Sequence, residues 1–112
     1  MVENAPLTYS SAKAALDRFI KSSSYYLAKD KIRINAVSPG NVYFKGSIWE
    51  KKFLEDPKKI EKMLNTKIPL KKFVTLDDIS EAVAFLSSPL SCSITGQILD
   101  VDAGQSILWK HY

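Results

Sequence analysis

The stretch Thr8–Leu16, with the sequence TYSSAKAAL, decides how the rest of this 112-residue chain is interpreted. Tyr9 and Lys13 stand four positions apart, so on an α-helix they lie about 40° from each other and one turn apart. The phenol and the ammonium therefore share one face. The serines and alanines around them leave room for a flat ligand or another backbone to approach. This stretch predicts a functional face on the first helix.

The spacing alone is not specific, because Tyr25 and Lys29 repeat it further along the same predicted helix. If that helix is unbroken, Tyr25 lies about 160° around from Tyr9, so the two pairs cannot serve one pocket. The first pair is favoured by its small neighbours, which are Ser10, Ser11, Ala12, Ala14 and Ala15. We interpret Tyr25 and Tyr26 as covering a packed or exposed surface.

The composition is that of an ordinary globular domain, with 46% hydrophobic and 25% charged residues. A single cysteine, Cys92, and a single histidine, His111, exclude an internal disulfide and a zinc site, so no metal is expected. Because the sequence has neither a signal-peptide pattern nor a run of about 18 apolar residues, we expect a cytoplasmic protein without a membrane partner.

The net charge of +4 is concentrated between Lys45 and Lys72, a segment that contains nine lysines and four acidic residues. These lysines alternate with acids and with core-type residues such as Trp49 and Ile60, a pattern typical of solvated helix faces. The sequence contains no helix-turn-helix, zinc-finger or ribonucleoprotein motif. No nucleic-acid partner is therefore expected.

The first predicted helix starts at Thr8, whose hydroxyl we expect to cap it, and ends near Lys29. Its residues at three- and four-residue intervals form an apolar stripe: Ala12, Leu16, Phe19, Ile20, Ser23 and Leu27. The β-branched run at 32–38 predicts a strand that ends at the turn signal Pro39-Gly40. Ligands of open α/β sheets bind beyond such strand ends.

The segment 41–55 is rich in large side chains and predicts an irregular or mobile lid. Asp56-Pro57 predicts the start of a short helix. Thr75 should cap the next helix, which ends before Pro89. Its expected buried face consists of Ile79, Ala82, Val83, Phe85 and Leu86. The run Ile98-Leu99-Asp100-Val101 predicts a second strand, and the apolar tail 107–109 has no internal partner that the sequence identifies.

Taken in order, the Tyr9 helix, the strand ending in Pro39-Gly40 and the closing run GQILDVDAG at 96–104 resemble the C-terminal half of a short-chain dehydrogenase/reductase. The resemblance covers nearly the whole chain. It implies an α/β fold that is the C-terminal part of a Rossmann-like, doubly wound parallel sheet, with about two strands and three or four helices. We expect residues 1–112 to form a single partial domain.

The resemblance implies NAD(P)-dependent hydride transfer between an alcohol and a ketone. Tyr9 would be the catalytic acid/base, and Lys13 its electrostatic partner and a ligand of the nicotinamide ribose. A nearby cation favours the ionised form of an acid, so the pairing suits proton transfer. Both residues would also contact the cofactor, NAD or NADP, as would the loop residues Pro39, Gly40, Asn41 and Val42. The partner would be a small-molecule alcohol or carbonyl substrate.

The sequence departs from the family pattern in several places. Phe44 stands where the family often has a threonine, so we expect only backbone contacts to the cofactor from this loop. The four glycines form no Gly-x-x-x-Gly-x-Gly, and neither the family's catalytic serine nor its helix asparagine is found. We therefore expect a fragment, the N-terminal dinucleotide-binding half being absent, that is inactive as the isolated chain.

Two strands are too few for independent stability, so we expect homo-oligomerisation or pairing with the missing half. The alternative is a non-catalytic oligomerisation or interaction fragment. Its motivation is the apolar stripe of the first helix, which in this family commonly packs against its counterpart in a neighbouring subunit.

Overall fold

The computed structural model describes the backbone of residues 6–110 and the side chains of residues 6–107. The described chain contains four α-helices and two strands. In chain order they are α1 (Leu7–Ala28), β1 (Ala36–Pro39), α2 (Ile48–Glu55), α3 (Pro57–Lys67), α4 (Leu76–Ser87) and β2 (Ile98–Val101). Short 3₁₀ segments follow α4 and β2, at Pro89–Ser91 and Gln105–Lys110. The two strands pair in parallel, so the predicted α/β class with about two strands and three or four helices is confirmed.

Helix α1 is the longest element, at 22 residues, and carries the TYSSAKAAL stretch near its start. The predicted cap is wrong, because the N-cap is Pro6 and Thr8 already lies inside the helix without a capping side-chain bond. The carbonyl of Pro6 accepts from the amide of Ser10 at 3.0 Å, so the helix begins two residues earlier than a cap at Thr8 would place it. Tyr9 and Lys13 consequently lie within the first two turns.

Strand β1 begins at Ala36, four residues later than the β-branched run predicts. The lead-in to the strand is bonded to the loop before β2 largely through side chains. The Ile34 amide donates to the Thr95 hydroxyl, and the Asn35 side-chain amide bonds both the Ile94 carbonyl and the Gln97 amide. Regular pairing starts only where the Ala36 amide donates to the Gln97 carbonyl at 2.8 Å.

The predicted irregular lid contains helix α2. The Ser47 hydroxyl accepts from the amides of Phe44 and Glu50, so it both closes the preceding turn and caps the helix. The starts predicted for the next two helices are confirmed. Asp56 accepts from the Lys59 amide to cap α3, and Thr75 exchanges reciprocal hydrogen bonds with Asp78 at the start of α4.

Few side chains in the described part of the chain are buried, and the apolar ones are Ile20, Ile60, Ile68 and Val74. The expected buried face of α4 is only partly covered, because Val83 is 47% and Phe85 43% exposed. The stripe of α1 is also open, since Phe19 is 60% exposed and only Ile20 is buried. An amphipathic pattern predicts which face is apolar, but the surface available to cover that face is set by the rest of the fold.

The chain divides into two compact units. The first consists of Met1–Val37 with Ala84–Leu99, and the second of Ser38–Val83 with Asp100–Tyr112. In the first unit, the ammonium of Lys21 on α1 donates to the Gly96 carbonyl at 2.8 Å. The guanidinium of Arg33 there bonds the carbonyls of Ser88 and Ile94. These contacts hold α1 and the lead-in to β1 against the loop before β2.

In the second unit, the turn after β2 packs on the segment that follows α3. The Leu70 amide donates to the Ala103 carbonyl at 3.0 Å. Asp102 organises this turn, since its carboxylate accepts from the amides of Gly104 and Ser106. Burial raises the pKa of Asp102, but the hydroxyl and amide of Ser106 and the amide of Gly104 outweigh burial and hold that pKa below its ordinary value. The folded turn therefore favours the ionised carboxylate.

Candidate active-site residues

Tyr9 and Lys13 meet on one face of α1, as their spacing predicts. The ammonium of Lys13 lies 5.5 Å from the centroid of the Tyr9 ring. The Tyr9 side chain is 50% exposed and Lys13 is exposed, so the face is accessible. Within the first unit, the structure thus presents a phenol with a cation beside it and only small residues between them.

Chemically, this pair combines a proton-transferring hydroxyl with a mobile positive charge. A cation over an aromatic face is attracted by the electrons of the ring. The lysine chain is flexible and its ammonium carries three donors. Lys13 can therefore serve both the tyrosine and the hydroxyl groups of a ligand bound beside it.

The second Tyr-Lys pair differs in its surroundings. Tyr25 is 80% exposed, and its ring meets the edge of Tyr26, with centroids 5.5 Å apart. Tyr9 instead has the Lys13 ammonium over its ring. The interpretation of Tyr25 and Tyr26 as surface residues agrees with this exposure.

Pro39, Gly40, Asn41 and Val42 continue from the end of β1 as one segment of the second unit. The Gly40 amide donates to the Val101 carbonyl at 3.0 Å. A Cβ atom on Gly40 would lie 2.7 Å from the Cα of Asp102, which is too short for a contact between two carbon atoms. The close approach of the Gly40 backbone to Asp102 therefore requires glycine.

The next two residues present unused donors. The Asn41 carbonyl accepts from the Val74 amide at 3.0 Å, and Val42 pairs with Val74 in an isolated parallel bridge. The amides of Asn41 and Val42 have no acceptor in the described part of the chain. They can therefore donate to a ligand, as the expected backbone contacts of this loop require. The side chain of Phe44, 42% exposed, offers no hydroxyl to such a ligand.

The predicted residues thus fall into two sets. Tyr9 and Lys13 belong to the first unit, and Pro39 to Val42 belong to the second. The structure brings together the members within each set. Among the described residues, no three His, Cys, Asp or Glu side chains form a group that could hold a metal ion, and no helix is long and apolar enough to cross a membrane. The cytoplasmic location stays a prediction.

Sequence reasoning missed an aromatic cluster beside the Pro39–Val42 segment. The rings of Tyr43 and Phe73 contact each other at a tilt of 37°, with centroids 5.1 Å apart, and Trp49 and Phe53 of α2 contact this pair. The available signal was the four-residue spacing of Trp49 and Phe53, which places both rings on one face of a helix.

Comparison with known proteins places these residues in a family. The sequence profile of the enoyl-(acyl carrier protein) reductase family matches residues 1–106. Isoepoxydon dehydrogenase from Aspergillus clavatus is 37% identical over 99 residues, which cover 88% of this chain and 38% of that protein. The chain therefore spans less than half the length of this relative.

Solved structures agree. 4-Hydroxyisoleucine dehydrogenase in complex with NADH superposes with a TM-score of 0.82 at 24% identity, over 96% of this chain and 42% of that one. YwfH, an NADPH-dependent reductase involved in bacilysin biosynthesis, has a TM-score of 0.71 at 29% identity, over 82% and 37% of the two chains. The two strands and four helices are thus part of a Rossmann-like fold, and the chain belongs to the short-chain dehydrogenase/reductase family.

Proposed function

We propose that this chain supplies the tyrosine–lysine part of the active site of an NAD(P)-dependent oxidoreductase that interconverts an alcohol and a ketone. The observation that carries the proposal is the Lys13 ammonium 5.5 Å from the Tyr9 ring centroid on an open helix face. This pair occurs in a chain of the short-chain dehydrogenase/reductase family, in which relatives are dehydrogenases and reductases.

In the direction of ketone reduction, the Tyr9 hydroxyl donates its proton to the carbonyl oxygen as that oxygen becomes an alkoxide. In the direction of alcohol oxidation, the phenolate of Tyr9 takes the proton of the substrate hydroxyl. Lys13 stabilises the phenolate in both directions, because its positive charge lies on the same face. Lys13 would also hold the cofactor by donating hydrogen bonds to its ribose.

The cofactor supplies or accepts the hydride. The residues present fit the nicotinamide end of such a group, because the amides of Asn41 and Val42 are unused donors and Gly40 keeps the loop backbone close to the strand end. The pyrophosphate end has no matching glycine-rich turn in the sequence, whose four glycines, at 40, 46, 96 and 104, form no Gly-x-x-x-Gly-x-Gly. We propose that the chain needs that element from elsewhere and is inactive alone.

The test compares the isolated chain with the longest polypeptide that its gene encodes. Titration with NADH and NADPH, followed by a panel of ketones, should show turnover only when a glycine-rich segment is present. Turnover by the isolated chain would contradict the proposed incompleteness. Absence of turnover and of cofactor binding in a polypeptide that includes a glycine-rich segment would contradict the function itself.

A second candidate function is non-catalytic association, which the exposed apolar stripe of α1 favours. Phe19 is 60% and Leu16 48% exposed, and Tyr26 adds a ring that is 69% exposed. Burial of such an apolar surface contributes a favourable free energy of about 25 cal/mol for each Å², which stabilises a helix pair. A second copy of the chain, or another segment with a matching apolar helix, is the proposed partner.

Sedimentation velocity separates the two candidates. Association through α1 predicts a concentration-dependent dimer that Phe19→Glu disrupts, whereas Phe85→Glu on α4 serves as the control for a similarly exposed phenylalanine. A monodisperse monomer at all concentrations would contradict association.

A further inference from the structure

The four rings beside the Pro39–Val42 segment form a continuous cluster, and its members are Tyr43, Trp49, Phe53 and Phe73. Tyr43 contacts two of the others, with ring centroids 5.1 Å from Phe73 and 6.3 Å from Phe53. Phe73 also contacts Trp49 at 5.7 Å. Since Trp49 and Phe53 are one turn apart on α2, that helix is attached at two points to the Tyr43–Phe73 pair.

The backbone at Tyr43 is fixed by the same neighbourhood. Its amide donates to the Val74 carbonyl at 2.9 Å, and the Val74 amide donates to the Asn41 carbonyl at 3.0 Å. Val74 is only 2% exposed. Its own position is fixed by the capping bonds of α4 that start at the next residue, Thr75. The residues that follow Gly40 therefore pair with the short segment Phe73–Val74, in which Val74 is buried.

These two observations coincide at one residue. Val74 forms backbone hydrogen bonds with the residues on either side of Val42, which are Asn41 and Tyr43. The Tyr43 ring also contacts the ring of Phe73, the residue before Val74. Asn41 and Val42 are left with unused amides, as an anion or carboxamide ligand requires. A loop held on both sides presents these donors with little loss of entropy on binding.

We propose that Tyr43 is a positioning residue, whose ring keeps the 41–43 backbone paired to Val74 and so presents the Asn41 and Val42 amides to a ligand. That the ligand is the nicotinamide part of a cofactor rests on the proposed function. Tyr43 itself acts through its ring contacts, and its hydroxyl is not required.

Amide hydrogen exchange tests this role without any assumption about activity. Tyr43→Leu should raise exchange of the residue 43 and Val74 amides about two- to tenfold, as expected when an aromatic pair is lost. Phe73→Leu removes the same ring pair but leaves the Tyr43 side chain in place, and it should raise the exchange of both amides by the same factor. Tyr43→Phe, which keeps the ring, should exchange like the wild type, as should the matched control Tyr25→Leu.

The Gly96 amide, which donates to the Ile34 carbonyl in the first unit, is the internal reference. The proposal is overturned if the Val74 amide is unaffected by both leucine variants, if Tyr43→Phe is as disruptive as Tyr43→Leu, or if the Gly96 amide accelerates equally.

Cofactor titration of the longest encoded polypeptide adds the functional readout. Tyr43→Leu should raise the NADH or NADPH dissociation constant at least about threefold, with Tyr43→Phe unchanged. If the wild type binds neither cofactor, the proposed function fails, while the exchange data still decide the role of Tyr43. If the wild type binds and Tyr43→Leu binds equally well, the positioning role fails.

Discussion

Replacing Gly96 with alanine should loosen the attachment of α1 to the loop before β2. Gly96 adopts φ +71, a left-handed conformation that costs a residue with a Cβ about 1–2 kcal/mol. An added Cβ would also lie 2.5 Å from the hydroxyl oxygen of Ser24 and 3.1 Å from its Cβ. Overpacking of this kind costs about 1–3 kcal/mol, so Gly96→Ala should lower the free energy of unfolding by about 2–5 kcal/mol.

Gly46 provides a matched control, because it also has a positive φ, +89, but an added Cβ there meets nothing within 4 Å. Gly46→Ala should therefore cost only the conformational part, about 1–2 kcal/mol. Removing the Ser24 hydroxyl should relieve part of the overlap. Ser24→Ala should thus recover about 1 kcal/mol in the Gly96→Ala background and change little alone.

Urea unfolding followed by circular dichroism measures all four variants. The Lys21 ammonium, which donates to the Gly96 carbonyl, should lose this bond in Gly96→Ala and add to the cost. Equal losses for Gly46→Ala and Gly96→Ala, or strict additivity of Gly96→Ala with Ser24→Ala, would refute the claim that α1 packs tightly on this turn.

Three further predictions concern other parts of the chain. Ser47→Ala orphans two amides at the start of α2 and should cost about 1–2 kcal/mol in a urea titration, whereas Thr8→Val, which removes no cap, should cost under about 0.5; equal costs would contradict the capping assignment. The pKa of Asp102 is lowered in the folded state, so its stabilising effect is present above the ordinary value of 3.8 and is lost as pH falls below it. Asp102→Asn should consequently lose less stability than the wild type between about pH 5 and pH 2.5, and an identical pH profile would contradict this. In the longest encoded polypeptide, Lys13→Met should raise the KM for the cofactor about tenfold or more, while Lys29→Met should not; similar effects of the two changes would remove Lys13 from its role.

Several elements were predictable because local chemistry determines them. Asp56 before a proline and Thr75 three residues before Asp78 are complete capping signals, and both helices begin where these signals place them. The second strand also has the predicted range, Ile98–Val101. The Tyr9–Lys13 pair is local in the same sense, because helical periodicity alone puts both residues on one face.

Other features depend on residues distant in sequence and were not predictable. The run from Ile32 has strand propensity. The Ile34 amide, however, donates to the Thr95 hydroxyl, and the Gln97 amide donates to the Asn35 side chain, so regular backbone pairing begins only at Ala36. The segment 41–55 was expected to be irregular because it is rich in large side chains, whereas the Ser47 cap starts the eight-residue helix α2 there.

The unused amides of Asn41 and Val42 are a further example. They follow from the pairing of their segment with Val74, a residue some 30 positions away that local sequence does not connect to them. The same holds for the aromatic cluster, whose rings come from three separate segments. Contacts of this kind form only in the folded chain, between residues that the local sequence does not connect.

Ketone reduction by Tyr9→Phe in the longest polypeptide that the gene encodes tests the central claim most directly. The change removes one hydroxyl from a half-exposed ring and should leave the circular dichroism spectrum and the unfolding curve unchanged. Loss of general acid catalysis should lower kcat by about 10²-fold or more, whereas Tyr25→Phe, the matched control on the same helix, should retain full activity. Wild-type activity in Tyr9→Phe, or an equal loss in both variants, would contradict the role of the Tyr9–Lys13 pair.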